Sequence, residues 1–378
     1  MIEFKELKGN LLHDFPYPLQ RRKCPHYSLI SLTASGSCLF SCPVCYARAY
    51  PWSIVDRVLI YKNTPEKLEA ELKKARIVFP IYISQITDAL QPIKELREVL
   101  REVVKIILRY RLSFHIVTKS ADGPLWLLKE IPELYEYPFW YISITVEATP
   151  EKQRVTSPKA SPINDRLKTL KILHSQGVAI TARTDPTIIG FIEPEELFSI
   201  IEKLKGCGVK HIVGSTGYFN KVSMQRFLRA LNNSEWRDRV KTVAQNYRFD
   251  PSLIDRYPEN KVFRIPYPER IRFHTLVKKE VERLGLTYAV CQELPAKYDS
   301  KGILYCEGVE RNWVHIKRKG RFEPINCVGD CLRSCPNPEN PPCGEPAFLY
   351  EYPYKPSRLE KLREIELSLC SGRKISTE

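Results

Sequence analysis

Three cysteines open the chemical reading. Cys38, Cys42 and Cys45 stand in C-x3-C-x2-C spacing within the stretch Cys38-Leu39-Phe40-Ser41-Cys42-Pro43-Val44-Cys45. Three thiolates on one short loop suit three irons of a four-iron cluster, whose fourth iron then stays open to a further ligand. Zinc is the alternative, although zinc sites more often gather two separated pairs. A second group, Cys327, Cys331, Cys335 and Cys343, is interrupted by Gly329, Pro336, Pro341 and Pro342. That stretch has too few apolar residues to fold unaided and reads as a turn-rich loop closed around a second metal centre, a second 4Fe-4S cluster or zinc. Between the two groups, Cys291 and Cys306 read as substitute ligands, hydrogen donors or plain packing residues.

The elements that must carry these loops follow from hydrophobic patterning. Six short apolar runs recur: Leu29 to Thr33, Ile81 to Ser84, Phe114 to Val117, Trp140 to Val146, Val178 to Ala182 and His211 to Val213. Most precede an amphipathic segment such as Pro92 to Tyr110, whose apolar residues recur every three or four positions. Strand and helix in alternation predict a parallel sheet with right-handed crossovers. Each run is followed by polar residues: the cysteine loop, Thr87-Asp88, Thr118-Lys119, Glu147, Arg183-Thr184-Asp185 and Ser215-Thr216. In parallel α/β folds the loops at the strands' C-terminal ends converge on one mouth, so these groups are expected at a common site.

Composition narrows the partners. The 378 residues carry 59 Lys and Arg against 44 Asp and Glu, a formal charge of +15. Positions 220–290 alone hold 15 basic and 8 acidic residues, with aromatics interleaved at Trp236, Tyr247, Tyr267 and Phe273. This suits a polyanion whose phosphates meet the charge and whose bases meet the rings. No run is apolar enough for a membrane span, and Met1 to Glu6 has neither signal-peptide nor transit-peptide character. The chain therefore reads as cytoplasmic, where twelve cysteines are more plausibly metal ligands than disulfides.

The cysteine spacing, and its place just after the first strand, resemble the radical S-adenosylmethionine superfamily over residues 29–231. Within it the likeness is to the spore photoproduct lyase-like group. It is carried by Ser84-Gln85-Ile86-Thr87-Asp88-Ala89-Leu90-Gln91-Pro92, Thr118-Lys119-Ser120, Thr156-Ser157-Pro158 to Arg166, and Arg183-Thr184-Asp185-Pro186. The resemblance implies a partial (β/α)6 barrel and a 4Fe-4S cluster on Cys38, Cys42 and Cys45. It implies S-adenosylmethionine bound with help from Thr87, Asp88, Lys119, Ser143 and Arg183, and reductive cleavage to a 5′-deoxyadenosyl radical that abstracts hydrogen. Ile188 and Gly190, with Glu193, fit three of four positions of the family's adenine motif; Pro186 replaces the first glycine. Val44 replaces the usual aromatic before the last cysteine, and Tyr46 follows that cysteine instead. Gln85 stands where the lyase has its hydrogen-donating cysteine, so dimer reversal by that route is not expected.

The organisation expected is an extension over 1–28, the partial barrel over 29–235, and a basic, cysteine-rich metal-binding domain over 236–378 closed by a charged helix from Ser357 to Leu369. The preferred substrate is DNA or RNA undergoing repair or modification, with an electron donor as partner. Radical modification of a protein, peptide or small metabolite is the first alternative. A non-catalytic, metal-stabilised nucleic-acid-binding protein is the second.

Overall fold

The computed structural model describes residues 1–14, 27–303, 305–311 and 313–325. Its centre is an eight-stranded sheet. Seven strands are parallel: β1 (Ser28–Ile30), β2 (Ile81–Ile83), β3 (Phe114–Thr118), β4 (Trp140–Thr145), β5 (Ile180–Thr184), β6 (His211–Gly214) and β7 (Thr287–Val290). They lie side by side in chain order. The short strand His13–Asp14 adds antiparallel to β1 at one edge, and β7 forms the other.

Alternation along each strand divides the sheet into two faces. On one, Ile81, Ile83, Phe114, Ile116, Trp140, Ile142, Ile144, Ala182 and Ile212 are buried in one continuous apolar core. The crossover helices cover such a face because their own apolar residues fall every three or four positions. Lys94–Arg109 is the clearest, burying Leu96, Leu100, Val103, Val104 and Ile107. The other face is polar. Its register aligns Tyr82 with His115 and Tyr141, Val117 with Ser143 and Thr181, and Thr145 with Arg183 and Val213.

Each of the six expected runs overlaps a strand. The fifth is displaced by two residues, because Val178 closes the turn after Gly177 while Arg183 and Thr184 continue pairing with Val213 and Gly214. Arg183 is thus a strand residue. The strand β7 was not expected and lies beyond residue 235, so the central sheet draws on the segment read as the C-terminal domain. Near the other end of the described chain, the hairpin Val314–Arg318 and Arg321–Ile325 pairs with Ile77–Val78, and Ile2–Lys5 pairs with Val58–Tyr61. Cys24, Cys327, Cys331, Cys335, Cys343, Cys370 and the expected closing helix lie outside the described residues.

Candidate active site

The cysteine loop leaves the C-terminal end of β1 and is held from several sides. Arg48 donates Nη1 to the carbonyls of Gly36 (2.8 Å) and Cys38 (3.3 Å) and Nη2 to Val55 (2.8 Å). Arg226, on the helix Lys221–Asn232, donates Nε to the Pro43 carbonyl (3.0 Å) and Nη2 to that of Cys45. Gln91, fully buried, accepts from the Leu39 amide (2.5 Å) and donates to the Asp88 carbonyl (2.7 Å), joining this loop to the end of β2.

Asp88 accepts at 2.7–2.9 Å from the Leu90 and Lys119 amides and the Thr118 hydroxyl. Burial raises its pKa, and those hydrogen bonds oppose the rise. The carboxylate is occupied in tying β2 to β3. Thr87 accepts from the Thr33 hydroxyl at 2.9 Å, fixing the loops after β1 and β2 together.

Lys119 Nζ, at the end of β3, lies 2.8 Å from Oε2 of the fully buried Glu147 after β4. Arg166 reaches the same oxygen at 2.9 Å and also donates to the carbonyls of Thr145 and Ser161 and to Ser157 Oγ. Burial alone would raise the Glu147 pKa; Lys119 and Arg166 outweigh it and hold the carboxyl far below its ordinary range. Two cations against one carboxylate leave this buried group with net positive charge.

The thiols sit beside it. Burial pushes Cys42 up to about 12, an effect that Lys119 and Arg166 oppose and that Cys45 and Glu147 reinforce. Burial, Asp88 and Cys42 raise Cys38 further still. Buried thiols therefore stay protonated until a metal replaces the proton. Cys38, Cys42 and Cys45 fit a cluster site: they share one loop, feel one another's charge, and have Lys119, Arg166 and Arg226 near enough to offset anionic sulfur. Among the described residues no three His, Cys, Asp or Glu side chains surround a single metal-ion position.

Deeper on the polar face, Tyr82, His115 and Tyr141 stack across three strands, with centroids 4.0 and 4.8 Å apart. Burial, then Arg183, keeps His115 well below its ordinary pKa and hence neutral. Arg183 pairs with Asp185 (3.2 Å) and with the buried Glu307, and lies 3.8 Å from Cys291 Sγ. Several buried polar atoms have no hydrogen-bond partner, among them both His115 nitrogens, Ser143 Oγ and Thr181 Oγ1; Lys119 Nζ has its ion pair but no hydrogen bond.

The expected residues thus separate. Cys38, Cys42, Cys45, Thr87, Asp88 and Lys119 gather around the ends of β1 to β3, Ser143 lies within β4 between Val117 and Thr181, and Arg183 joins a second group with Asp185, Glu307 and Cys291. Ile188 is core, and Gly190, at φ +87°, lets the helix Arg239–Asn246 approach: a Cβ there would meet Asn246 Nδ2 at 2.5 Å. Glu193 caps the helix Pro194–Gly206 and pairs with Arg239 at 2.7 Å. Tyr46 packs among tyrosines. Of the aromatics expected to face a polyanion, Tyr247 is buried with its hydroxyl donating to the Thr216 carbonyl (2.5 Å), and Trp236 packs on Phe191. Arg226 and Glu307 carried no signal in sequence, since each acts on residues more than 120 positions away.

No protein-family profile matches the chain. A radical SAM Nalpha-GlyT isomerase of Pseudomonas phage M6 is 22% identical over 296 residues, covering 72% of this chain and 55% of the phage protein. The chain thus spans about half the length of that relative. An uncharacterized protein of Methanocaldococcus jannaschii is 24% identical over 251 residues, 66% of this chain and 86% of the archaeal one. Among solved structures, a spore photoproduct lyase variant superposes with a TM-score of 0.50 at 10% identity, covering 78% of this chain and 82% of the lyase. The chain is similar to a radical S-adenosylmethionine enzyme in sequence and to spore photoproduct lyase in fold. The cysteine loop at the end of β1 is where this chain has three thiols together. Among its described residues no helix is long and apolar enough to cross a membrane.

Proposed function

We propose that this enzyme abstracts a hydrogen atom from a nucleic acid, in repair or modification of DNA or RNA. Cys38, Cys42 and Cys45 would hold the cluster, and S-adenosylmethionine bound to it supplies, on one-electron reduction, the radical that takes the hydrogen. Lys119 offers its ammonium to the methionyl carboxylate, a charge-assisted hydrogen bond. Thr87 and Ser143 orient the same end, and Asp88 positions Lys119 by holding its amide. Glu147 and Arg166 fix the direction of the Lys119 side chain. Arg183 belongs to the substrate side, with Tyr82, His115 and Tyr141 as walls that exclude water.

The observation that carries this reading is a polar sheet face on which Ser143 Oγ and Thr181 Oγ1 are buried without hydrogen-bond partners, while Lys119 and its ion pair with Glu147 lie beside Cys42. Such atoms are costly unless a ligand meets them. The basic surplus over 220–290 supports a nucleic acid as that ligand's neighbour. Asp185 and Glu307, two carboxylates around the one Arg183 guanidinium, favour a second reading in which the substrate is a peptide or small metabolite bearing an amine.

In this reading residues 29–235 form the partial (β/α)6 barrel, 1–28 an extension, and 236–378 a domain whose Cys327, Cys331, Cys335 and Cys343 hold a second 4Fe-4S cluster or zinc. An electron donor reduces the first cluster in the cytoplasm. The test is anaerobic reconstitution of the full chain with iron and sulfide, then dithionite, S-adenosylmethionine and deuterated oligonucleotides. Deuterium in 5′-deoxyadenosine, lost in the Cys38→Ala/Cys42→Ala/Cys45→Ala variant, is the expected result. Deuterium acquired from labelled peptides but never from nucleic acid would reject the substrate.

A further inference from the structure

The segment that wraps the cysteine loop carries a row of aromatic rings the proposed chemistry does not use. Its backbone is fastened to the loop: Ser35 and Ser53 hydroxyls both donate to the Ala47 carbonyl, the Ile54 amide to Ser35 (2.9 Å), and Ser37 Oγ to the Arg57 carbonyl (3.1 Å). Asn220 Nδ2 donates to the Ala49 carbonyl at 3.0 Å, adding a tie from the far side. On this frame Tyr46, one residue after Cys45, lies 5.0 Å from Tyr218 and edge-on to Tyr50 at 5.9 Å. The Tyr50 and Tyr218 hydroxyls are 3.3 Å apart. Tyr50 stacks on Trp52 with 4.8 Å between centroids and 11° between planes. The Arg264 guanidinium sits over the Tyr218 ring at 5.2 Å.

The row runs from beside the third cysteine to the surface, where Trp52 is 69% exposed. An indole stacked flat on a tyrosine, stiffened by Pro51 and otherwise open to solvent, is an apolar plane held ready for another plane. A cation stands beside the row: Arg264 is exposed and lies over the Tyr218 ring. A flat apolar face next to a guanidinium group matches a nucleotide, whose base stacks without regard to sequence while its phosphate meets the cation.

We infer that Trp52, Tyr50, Tyr218 and Arg264 form a platform that stacks an unpaired nucleobase at the mouth of the site, a step that rests on the nucleic-acid reading above. The platform is mounted on the cluster loop itself. A base seated there is registered against the loop by rigid backbone rather than by a separate domain.

The test uses the full chain and a single-stranded DNA oligonucleotide carrying one 2-aminopurine, whose fluorescence falls on stacking. Anisotropy gives affinity and its salt dependence. Wild type should bind with quenching. Trp52→Ala should lose most of the quenching and about tenfold in affinity, with an unchanged salt slope, and Trp52→Phe should restore both. Arg264→Ala should keep the quenching and reduce the salt slope by about one. Because Trp52 is exposed, an unchanged circular dichroism spectrum verifies the fold. Equal affinity and quenching in Trp52→Ala would overturn the platform and leave the nucleic-acid reading standing. Wild type that binds no oligonucleotide would overturn both. Sedimentation showing a dimer that Trp52→Ala dissolves, without any quenching in wild type, would make the face a contact between copies and overturn the platform.

Discussion

Replacing Arg166 by Met tests whether the charge network beside the cysteine loop is structural in the way its geometry implies. The guanidinium is fully buried and makes four contacts, to Glu147, Ser157 and the carbonyls of Thr145 and Ser161. Methionine fills similar space and leaves Glu147 with the Lys119 ammonium and the Thr156 and Ser157 hydroxyls. Because Lys119 still compensates the Glu147 charge, the loss is that of charge-assisted hydrogen bonds, about 1.5–3 kcal/mol. With an unfolding entropy of about 2.1 cal/mol/K per residue over 378 residues, that lowers Tm by roughly 2–4 °C. The pH dependence identifies the cause. Glu147 is held below the ordinary carboxylate value of about 4.5, so its contribution is present above that value and is lost as pH falls toward its folded pKa. Removing Arg166 raises that folded pKa, so the gap between wild type and variant should hold steady near neutrality and narrow once pH falls below the variant's raised folded pKa. Scanning calorimetry between pH 3 and 8 measures it. An equal gap at every pH would mean the loss is packing alone, and no gap would refute the pairing argument.

Lys119→Ala should spare the fold, because Arg166 still neutralises Glu147, yet weaken S-adenosylmethionine binding by roughly 10- to 100-fold; an unchanged dissociation constant by anaerobic calorimetry would reject its role. Gln91→Leu strands the Leu39 amide and the Asp88 carbonyl, and iron content after reconstitution should fall although all three cysteines remain. Full iron loading would show that the bridge does not order the loop. Cys331→Ala with Cys335→Ala should halve the iron if both centres are four-iron clusters; loss of zinc at constant iron would assign a zinc site, and no metal loss would dismiss the second centre.

How much of this was legible in sequence depends on whether a residue's role is local. The runs behind β1 to β6 are apolar and end in distinctive polar residues, so both strands and rim could be read directly. The four residues of β7, Thr-Tyr-Ala-Val, have no such contrast. They become a strand because the edge of β6 would otherwise be unpaired. Lys119 was recognisable as a site residue, but its partnership was not, since Glu147 and Arg166 come from a different loop and from the helix Ile163–Ser175. Aromatic residues misled in the other direction. Tyr247 and Trp236 sit among arginines in sequence yet pack inward, while Tyr50 and Trp52, in an unremarked stretch after the cysteines, form the stacked pair. Composition gives the number of rings and not which face water.

The grip of Arg226 on the carbonyls of Pro43 and Cys45 spans 183 and 181 positions of chain. At about 5–20 residues per second of synthesis, roughly 10–40 seconds separate the emergence of the third cysteine from that of the arginine that secures it. Throughout that interval the nascent thiols are exposed to oxidants and stray metal ions. Loading iron early would commit the cluster to a loop whose final shape is not yet imposed. The wiring of the chain thus favours a sequence of events on and after the ribosome in which folding comes first and the cluster is inserted into a finished cradle.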